Sequence, residues 1–324
     1  MRQYIAAQLS AHSGSSMASV SSCPICGSLN TRLYLSGEDP VLRSSAFGSS
    51  RTDHSPGTIN RCCVCRHAFR AVRPSPSELA ALYREMATDK YEAETDHRRT
   101  TAALHLRMVK RKVTREAPLL LDVGCGSGLL LDLAARAGWN IVGVEPSTNF
   151  FQAAQKLLAG RGQLVHATLQ ESGLAADSFD VVTAWDVIEH VNDPAGFVEL
   201  CAQLLKPGGF LFMKAPDIDS VQARLLGARW PVLLPEHLHY FTRASLRSCG
   251  DRAKLQLVEF SRHSVFFSLG YLLYRLSQHG ITGTGFLNRI VSGSVLSGIA
   301  VPLRLGERYV VWKKHSAAGA SEGD

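Results

Sequence analysis

The chain has 324 residues, of which 45% are hydrophobic and 19% charged, and it carries 35 Lys and Arg against 28 Asp and Glu. A chain of this length and composition buries a full core, which excludes a disordered or fibrous protein and predicts one large domain with a smaller companion. The net charge of +7 leaves open a nucleic acid, an anionic membrane, a phosphorylated substrate or no specific anionic partner.

The two ends of the chain show no targeting or membrane signal. Residues 1–20 are rich in Ser and Ala and lack the apolar core of a secretory signal, so we predict a flexible tail there and another over residues 316–324. The uncharged stretch Ile290–Leu303 is shorter than the ~18 apolar residues of a membrane span, so we predict no transmembrane segment. Eight cysteines without a signal sequence indicate reduced thiols or metal ligands, and therefore a cytoplasmic protein.

Residues 21–74 contain two C-x2-C pairs, Cys23-Pro-Ile-Cys26 and Cys62-Cys-Val-Cys65, separated by 35 residues. Four soft thiolates in two such pairs are typical of a closed, tetrahedral structural zinc site, so we predict zinc at Cys23, Cys26, Cys62 and Cys65. Two alternatives stay open, because Cys63 could replace Cys62 and His67 could replace one thiolate. The spacer is long and must be partly a loop.

A basic helical linker or lid is predicted for residues 75–116, and the pattern changes at Leu119. An apolar run ends in glycines at positions 124, 126 and 128, followed by a helical pattern and a second short strand that ends in Glu145. This spacing is close to the ~20 residues between a glycine turn and the acidic residue that accepts the hydroxyl groups of a ribose. The pattern therefore predicts a strand, turn and helix that bind a nucleotide-like cofactor.

Strand and helix patterns alternate after Pro118, which predicts a mostly parallel sheet covered on both faces. The predicted strands are 119–123, 140–145, 163–168, 179–185, 208–215, 255–261 and 307–313, and the predicted helices are 128–137, 148–160, 194–206 and 243–252.

The stretch Asp122-Val-Gly-Cys-Gly-Ser-Gly128 resembles the first motif of the class I S-adenosylmethionine (SAM) dependent methyltransferases. The resemblance implies an α/β fold with a Rossmann-like, seven-stranded, mostly parallel sheet over residues 117–315, behind a small zinc-ribbon-like module. It also implies SAM as cofactor. The cofactor-binding positions that the resemblance implies are Asp122, Gly124, Cys125, Gly126, Gly128, Glu145, Thr168, Leu169, Asp186 and Val187.

The segment Asp186-Val-Ile-Glu189-His190 follows the fourth strand and is similar to the metal-binding E-x-x-E-H of the ubiquinone-pathway O-methyltransferases. By that resemblance it allows a magnesium ion at Asp186, Glu189 and His190. The alternative is that Glu189 and His190 cap and brace the next helix. His190 is also a candidate catalytic base, because an imidazole titrates near neutral pH.

A second polar cluster, Glu236-His237-Leu-His239-Tyr240, resembles a segment of the sugar C-methyltransferases that supplies acid and base groups. By that resemblance Glu236 would orient or charge His237, and His237 would remove a proton from the acceptor. The alternative is structural, with Tyr240 in the core and the following Thr242 as a helix N-cap.

Residues 263–304 are too apolar for a surface helix, and we predict a helical insertion that forms a lid or the wall of the acceptor pocket. A peripheral membrane contact is the alternative role for this segment. The predicted function is methyl transfer from SAM to an O or C nucleophile of a small molecule or sugar. One alternative is an RNA methyltransferase that binds nucleic acid through the zinc module; the net charge and that module favour it, and the absence of a base-methylation motif after the fourth strand disfavours it. The other alternative is a non-catalytic SAM-binding protein.

Overall fold

The structure is a computed structural model that describes residues 18–39, 55–85, 95–262, 264–278 and 284–316. Most of both predicted tails, and the middle of the spacer between the cysteine pairs, lie outside these ranges.

Short strands and two helices precede the glycine turn: β1 (Ala18–Ser19), β2 (Thr31–Leu35), β3 (Ile59–Cys62), β4 (Ala68–Arg70), β5 (Val72–Arg73), α1 (Pro76–Arg84) and α2 (Thr95–Lys110). Helix α1 begins where the sequence favours it. Ser75 and Glu78 form a reciprocal capping box, and Pro76, which has no N–H to lose, occupies the first turn.

The remaining elements are, in chain order, β6 (Leu119–Val123), α3 (Leu129–Arg136), β7 (Asn140–Val144), α4 (Thr148–Leu158), β8 (Gln163–Val165), β9 (Phe179–Ala184), α5 (Pro194–Leu204), β10 (Leu205–Pro216), α6 (Val221–Leu226), β11 (His239–Tyr240), α7 (Arg243–Arg252), β12 (Leu255–Arg262), β13 (Val265–Ser268), α8 (Leu269–Gln278), α9 (Thr284–Val291), β14 (Ala300–Leu303) and β15 (Glu307–Lys314).

The central sheet has seven strands in the order β12-β15-β10-β9-β6-β7-β8. The pairs among β10, β9, β6, β7 and β8 are parallel, and β15 runs antiparallel to both of its neighbours. This confirms the predicted mostly parallel, Rossmann-like sheet. The main shifts in bounds are at β10, which begins at Leu205 and contains an irregularity before Phe210, and at β8, which ends at Val165.

The core fills both faces of this sheet, as the near-continuous apolar sequence of the central strands requires. Leu120 and Leu121 on β6 are both fully buried, and they pack in two different clusters on opposite faces. Truncation of such a side chain to Ala costs about 2–5 kcal/mol of the free energy of unfolding, depending on how far the site collapses.

The order of the strands places the candidate site. The chain moves from β6 outward through β7 and β8, then returns to β9 on the other side of β6. At such a switch point the loops at the carboxyl ends of the two adjacent strands diverge and leave a crevice for a ligand. Here the diverging loops are the glycine turn after β6 and the segment after β9.

Two further sheets lie outside the central one. The four-stranded sheet β11-β4-β3-β2 combines three strands of the cysteine module with β11, which comes from the predicted catalytic segment. The predicted insertion contains the antiparallel pair β13-β14 as well as helices α8 and α9. None of the described helices is long and apolar enough to cross a bilayer.

Candidate active site

The glycine turn lies directly beyond β6 and is held by the neighbouring strand. The backbone N–H of Gly124 donates to the carbonyl oxygen of Val144 at 2.8 Å. Gly124 and Gly126 have φ angles of 67° and 53°, a region that a Cβ disfavours. A Cβ at Gly126 would meet no atom within 4 Å, so open space faces the backbone at this position.

Gly128 has a different role from the two glycines before it. Its φ is 80°, and a Cβ here would lie 3.2 Å from the Cβ of Ala154 on α4. It begins α3 and does not line the cavity described below. Because Gly128 has no side chain, the start of α3 can pack closely on α4. The sequence motif includes Gly128 among the predicted cofactor contacts.

The carboxylate of Glu145 closes the turn from the side of β7. It accepts hydrogen bonds from the backbone N–H groups of Gly126 and Ser147, both at 2.8 Å. Burial raises the pKa of this carboxyl group to about 6. Each oxygen holds one backbone donor and keeps a further lone pair, so the group is fixed in place and can still accept from a ligand.

Asp122 lies beneath the turn and accepts a hydrogen bond from the hydroxyl of Thr183 on β9 at 2.6 Å. Burial raises the pKa of this carboxyl group to about 7. The contact ties the first strand of the motif to its neighbour at the switch point.

A single cavity of about 2340 Å³ joins these groups to the predicted catalytic residues. Its lining includes all the predicted cofactor-binding positions except Gly128, and also His190, Glu236 and His237. Thr168 lines this cavity, but its hydroxyl donates to Glu171 at 2.8 Å. The outer part of the cavity is largely apolar, with side chains from α1, the α6 region and the insertion: Leu79, Leu226, Trp230, Leu233, Phe266, Phe267 and Leu305.

Two carboxylates and one ammonium group form an ion-pair cluster that lines the cavity. Lys214, from the end of β10, pairs with Asp186 and, at 2.8 Å, with Glu307 on β15. Burial alone would lower the pKa of Lys214, but the nearby carboxylates of Asp186 and Glu307 raise it, so the amine stays charged. Lys214 and Glu307 belong to no sequence motif, although a lone charged residue in the apolar run 210–216 is a usable signal for Lys214.

Glu189 is fully buried. Burial, and to a smaller extent the charge of the nearby Asp186, raises the pKa of its carboxyl group well above the usual range. Neither carboxylate oxygen accepts a hydrogen bond within the described part of the chain. A buried carboxyl group in this state needs a proton or a cation.

Two imidazoles adjoin this carboxyl group. His190 donates from Nδ1 to the carbonyl oxygen of Glu236 at 3.0 Å, and the ring of His237 stands edge-on to it with 4.8 Å between centroids. Burial lowers the pKa of His190 to about 4 and that of His237 well below its usual value. Both rings are therefore neutral near pH 7.

The expected support of His237 by the Glu236 carboxylate is not found. Among the described residues, no hydrogen bond joins that carboxyl group to the His237 ring, and it is the Glu236 carbonyl that binds the other imidazole. Burial raises the pKa of the Glu236 carboxyl group to about 7.

The candidate metal ligands fall into two groups that differ from the expected trio. One ligand atom each from Glu189, His190 and His237 lie within 4.8 Å of one another, and so do atoms of Asp186, Glu189 and Glu307. Asp186 and His190 belong to different groups of candidate metal ligands, and the Asp186 carboxylate also pairs with the ammonium group of Lys214. His237 takes the position that the sequence had given to Asp186.

In the cysteine module, the thiol groups of Cys23, Cys26, Cys62 and Cys65 lie within 4.8 Å of one another. The Cys23 and Cys65 sulfurs are 3.4 Å apart, and this contact lowers the pKa of the Cys23 thiol to about 5. Cys63 is exposed and stands outside the cluster. The four-sulfur set is the one that tetrahedral zinc prefers.

His67 does not join the thiols but contacts the segment after Glu236, with its Nε2 3.1 Å from Nδ1 of His239. The guanidinium of Arg70 donates to the carbonyl oxygen of Pro235 at 2.8 Å, and that of Arg73 donates to Asn192 at 2.9 Å. The module thus holds the backbone on both sides of the candidate catalytic residues.

Comparison with known proteins gives the following relatives. The family model described as a methyltransferase domain matches residues 92–259. The ubiquinone biosynthesis O-methyltransferase of Paracidovorax citrulli is 32% identical over 178 residues, which cover 52% of this chain and 74% of the relative. The enzyme of the same name from Leptothrix cholodnii is 32% identical, with coverages of 54% and 81%. A solved SAM-dependent methyltransferase of Thermotoga maritima is 20% identical with a TM-score of 0.47, covering 70% and 95%.

Proposed function

This chain belongs to the SAM-dependent methyltransferases, and we propose that it methylates a hydroxyl oxygen of a small, largely apolar molecule. The observation that carries the proposal is the single cavity, which joins the glycine turn to a group of imidazoles and carboxylates. The named relatives act in ubiquinone biosynthesis as O-methyltransferases. The apolar lining of the outer cavity favours an aromatic or aliphatic alcohol over a sugar.

The residues around the turn fit SAM. The open space at Gly126 lets a ligand approach the main chain, and the lone pairs of the fixed Glu145 carboxylate suit a ribose diol. SAM supplies a methyl group already activated by its sulfonium. The protein therefore has to align the acceptor oxygen with that methyl group and to remove the proton of the acceptor hydroxyl group.

The imidazoles of His190 and His237 are the groups that accept the proton in this proposal. Both are neutral near pH 7, and both line the cavity. His190 keeps its Nδ1 proton in the bond to Glu236, so its Nε2 carries the lone pair.

The same side chains also fit a divalent ion. Glu189, His190 and His237 would hold it, and it would supply positive charge beside the acceptor oxygen. Because two nitrogen donors and one carboxylate suit a transition-metal ion better than magnesium, we expect zinc, manganese or iron here. Metal analysis of the purified protein and of Glu189→Gln tests this. A content that the substitution leaves unchanged would contradict an ion at this site and leave the imidazoles as bases.

We also propose that the four thiols of the cysteine module bind structural zinc. The arrangement that supports this is the closed cluster of four sulfurs, which leaves no position for a substrate.

The proposed function is tested with methyl-labelled SAM, the purified protein and a bacterial extract, followed by separation into nucleic-acid, protein, lipid and small-molecule pools. We expect label in the lipid or small-molecule pool as an alkali-stable methyl ether. Label in RNA would contradict the proposal, and SAM binding without transfer to any pool would favour a non-catalytic role.

A further inference from the structure

Two segments at the outer end of the cavity have an unusual charge composition. Residues 220–235 and 260–306 together contain six arginines and no Asp, Glu or Lys, in a protein that has 28 acidic residues. All the formally charged side chains of these two segments are therefore positive.

The same segments expose large apolar side chains. On α6, Leu225 is 80% exposed and Val221 59%; on α9, Phe286 is 69% exposed and Ile290 57%. We call the whole set the apolar rim, and it comprises Val221, Leu225, Leu226, Tyr274, Phe286, Leu287, Ile290, Leu296 and Ile299. A group of this size at the surface of a protein marks an interaction site.

Hydrogen bonds tie the α6 part of the rim to the residues that end the insertion, and both parts of the rim border the cavity. The amide of Gln222 on α6 donates to the carbonyl oxygen of Arg304 at 3.1 Å, and the indole of Trp230 donates to Leu305 at 2.6 Å. Leu226 and Tyr274 belong to the rim and also line the cavity. Each part of the rim therefore contributes an apolar side chain to the cavity that holds the candidate acceptor site.

We propose that the apolar rim docks on an anionic lipid surface. Exposed apolar side chains interspersed with arginines and without carboxylates are what an interfacial contact with acidic headgroups requires. Arg224 on α6 and Arg289 on α9 are both exposed within the rim, and their long side chains can reach headgroup phosphates while the apolar residues enter the boundary.

The positive charge of the rim favours a bilayer over a second copy of the chain as the binding partner. A symmetric contact between two rims would bring arginines against arginines, with no acidic residue in either segment to pair with them. An anionic membrane supplies the missing negative charge. The proposal stands whatever the acceptor is, but a lipid-soluble acceptor could then reach the cavity from the bilayer without crossing water.

Flotation of the purified full-length protein with vesicles tests the docking. We expect the protein to float with vesicles of phosphatidylcholine mixed with phosphatidylglycerol, to float poorly with phosphatidylcholine alone, and to be released by added salt. The triple variant Leu225→Ser, Phe286→Ser, Ile290→Ser should stay at the bottom of the gradient. The matched control is Leu29→Ser with Leu33→Ser, which removes exposed leucines from the cysteine module and should float like the wild type.

Substitutions of single arginines test the electrostatic contribution to vesicle binding. Arg224→Gln and Arg289→Gln should each weaken binding to the anionic vesicles by about fivefold, whereas Arg32→Gln on the cysteine module should not. SAM affinity, measured on every variant, verifies that the fold is intact. Failure of the wild type to float with any vesicle would overturn the proposal, as would a dimer of the wild type that the triple variant dissociates, which would make the rim a contact between copies.

Discussion

The two halves of the candidate active site are built in different ways. The core of the proposed cofactor half comes from one continuous stretch, residues 119–145, in which the turn and its acidic partner are fixed by adjacent strands. The acceptor half combines side chains from the ends of β9, β10 and β15 with the segment 234–242, and the cysteine module holds that segment from outside. A local sequence pattern can specify the first kind of site but not the second.

This contrast predicts that the two halves can be damaged separately. Changes on the acceptor side should lower turnover without weakening SAM binding, and changes on the cofactor side should do the reverse.

Loss of the cysteine cluster should have the largest effect. Cys26→Ser removes one of four ligands, and since the binding energy of structural zinc is folding energy, it should unfold the module. Because β4 of the module pairs with β11, turnover should fall with the zinc content. The measurements are metal analysis, turnover and SAM affinity, with Cys63→Ser as the matched control outside the cluster. Full zinc content in Cys26→Ser would refute the cluster as a zinc site. Unchanged turnover after zinc loss would show that the candidate active site does not depend on the cysteine module.

His237→Ala should lower kcat by about 10²- to 10⁴-fold, the usual range for loss of a group that handles a proton. The dissociation constant of SAM should change little, because the ring lies in the acceptor half. His166→Ala, an exposed imidazole that stacks on Phe151, is the matched control. An equal loss of SAM affinity and turnover would mean that His237 has a structural role.

Glu145→Ala should weaken SAM binding by about 100-fold, which corresponds to two hydrogen bonds to a charged acceptor at ~1.5 kcal/mol each. Saturating SAM should restore most of the turnover. Titration calorimetry measures the affinity, with the exposed Glu116→Ala as control. Unchanged affinity in Glu145→Ala would remove this residue from the cofactor site.

The smallest expected effect is that of pH on SAM affinity. The pKa of Glu145 is raised to about 6, so the carboxylate that accepts from the ribose is mostly ionised at pH 7 and mostly protonated at pH 5. Because protonation removes acceptor sites, affinity should fall as pH falls through 6, by up to about tenfold for each unit below it. Glu145→Gln should remove the part of this dependence centred near pH 6, and a flat wild-type profile between pH 7 and pH 5 would contradict the assignment.

Much of the fold could be predicted from the sequence. All seven strands of the sheet were found from their apolar runs, and the turn residues and Glu145 from their spacing. The close approach of Gly128 to α4 could not be predicted, because a glycine needed for helix packing and one needed for ligand approach look the same in sequence. Whether Cys62 or Cys63 joins the cluster also required the structure.

The acceptor half could not be predicted in full, because its contacts join distant parts of the chain. The pairing of His67 with His239 spans 172 positions, and Lys214 meets Glu307 only because β15 enters the sheet beside β10. His237, and not Asp186, shares the candidate metal group with Glu189 and His190, although it lies 47 positions from His190 in the sequence. No periodicity or spacing within one segment reports such contacts.

A crystal structure with S-adenosylhomocysteine bound tests most directly the claim that one cavity serves both halves. We expect the ribose hydroxyls at the carboxylate of Glu145 and the thioether sulfur directed along the cavity towards His190 and His237. A ligand whose sulfur faces away from both imidazoles, or whose ribose lies elsewhere, would contradict it.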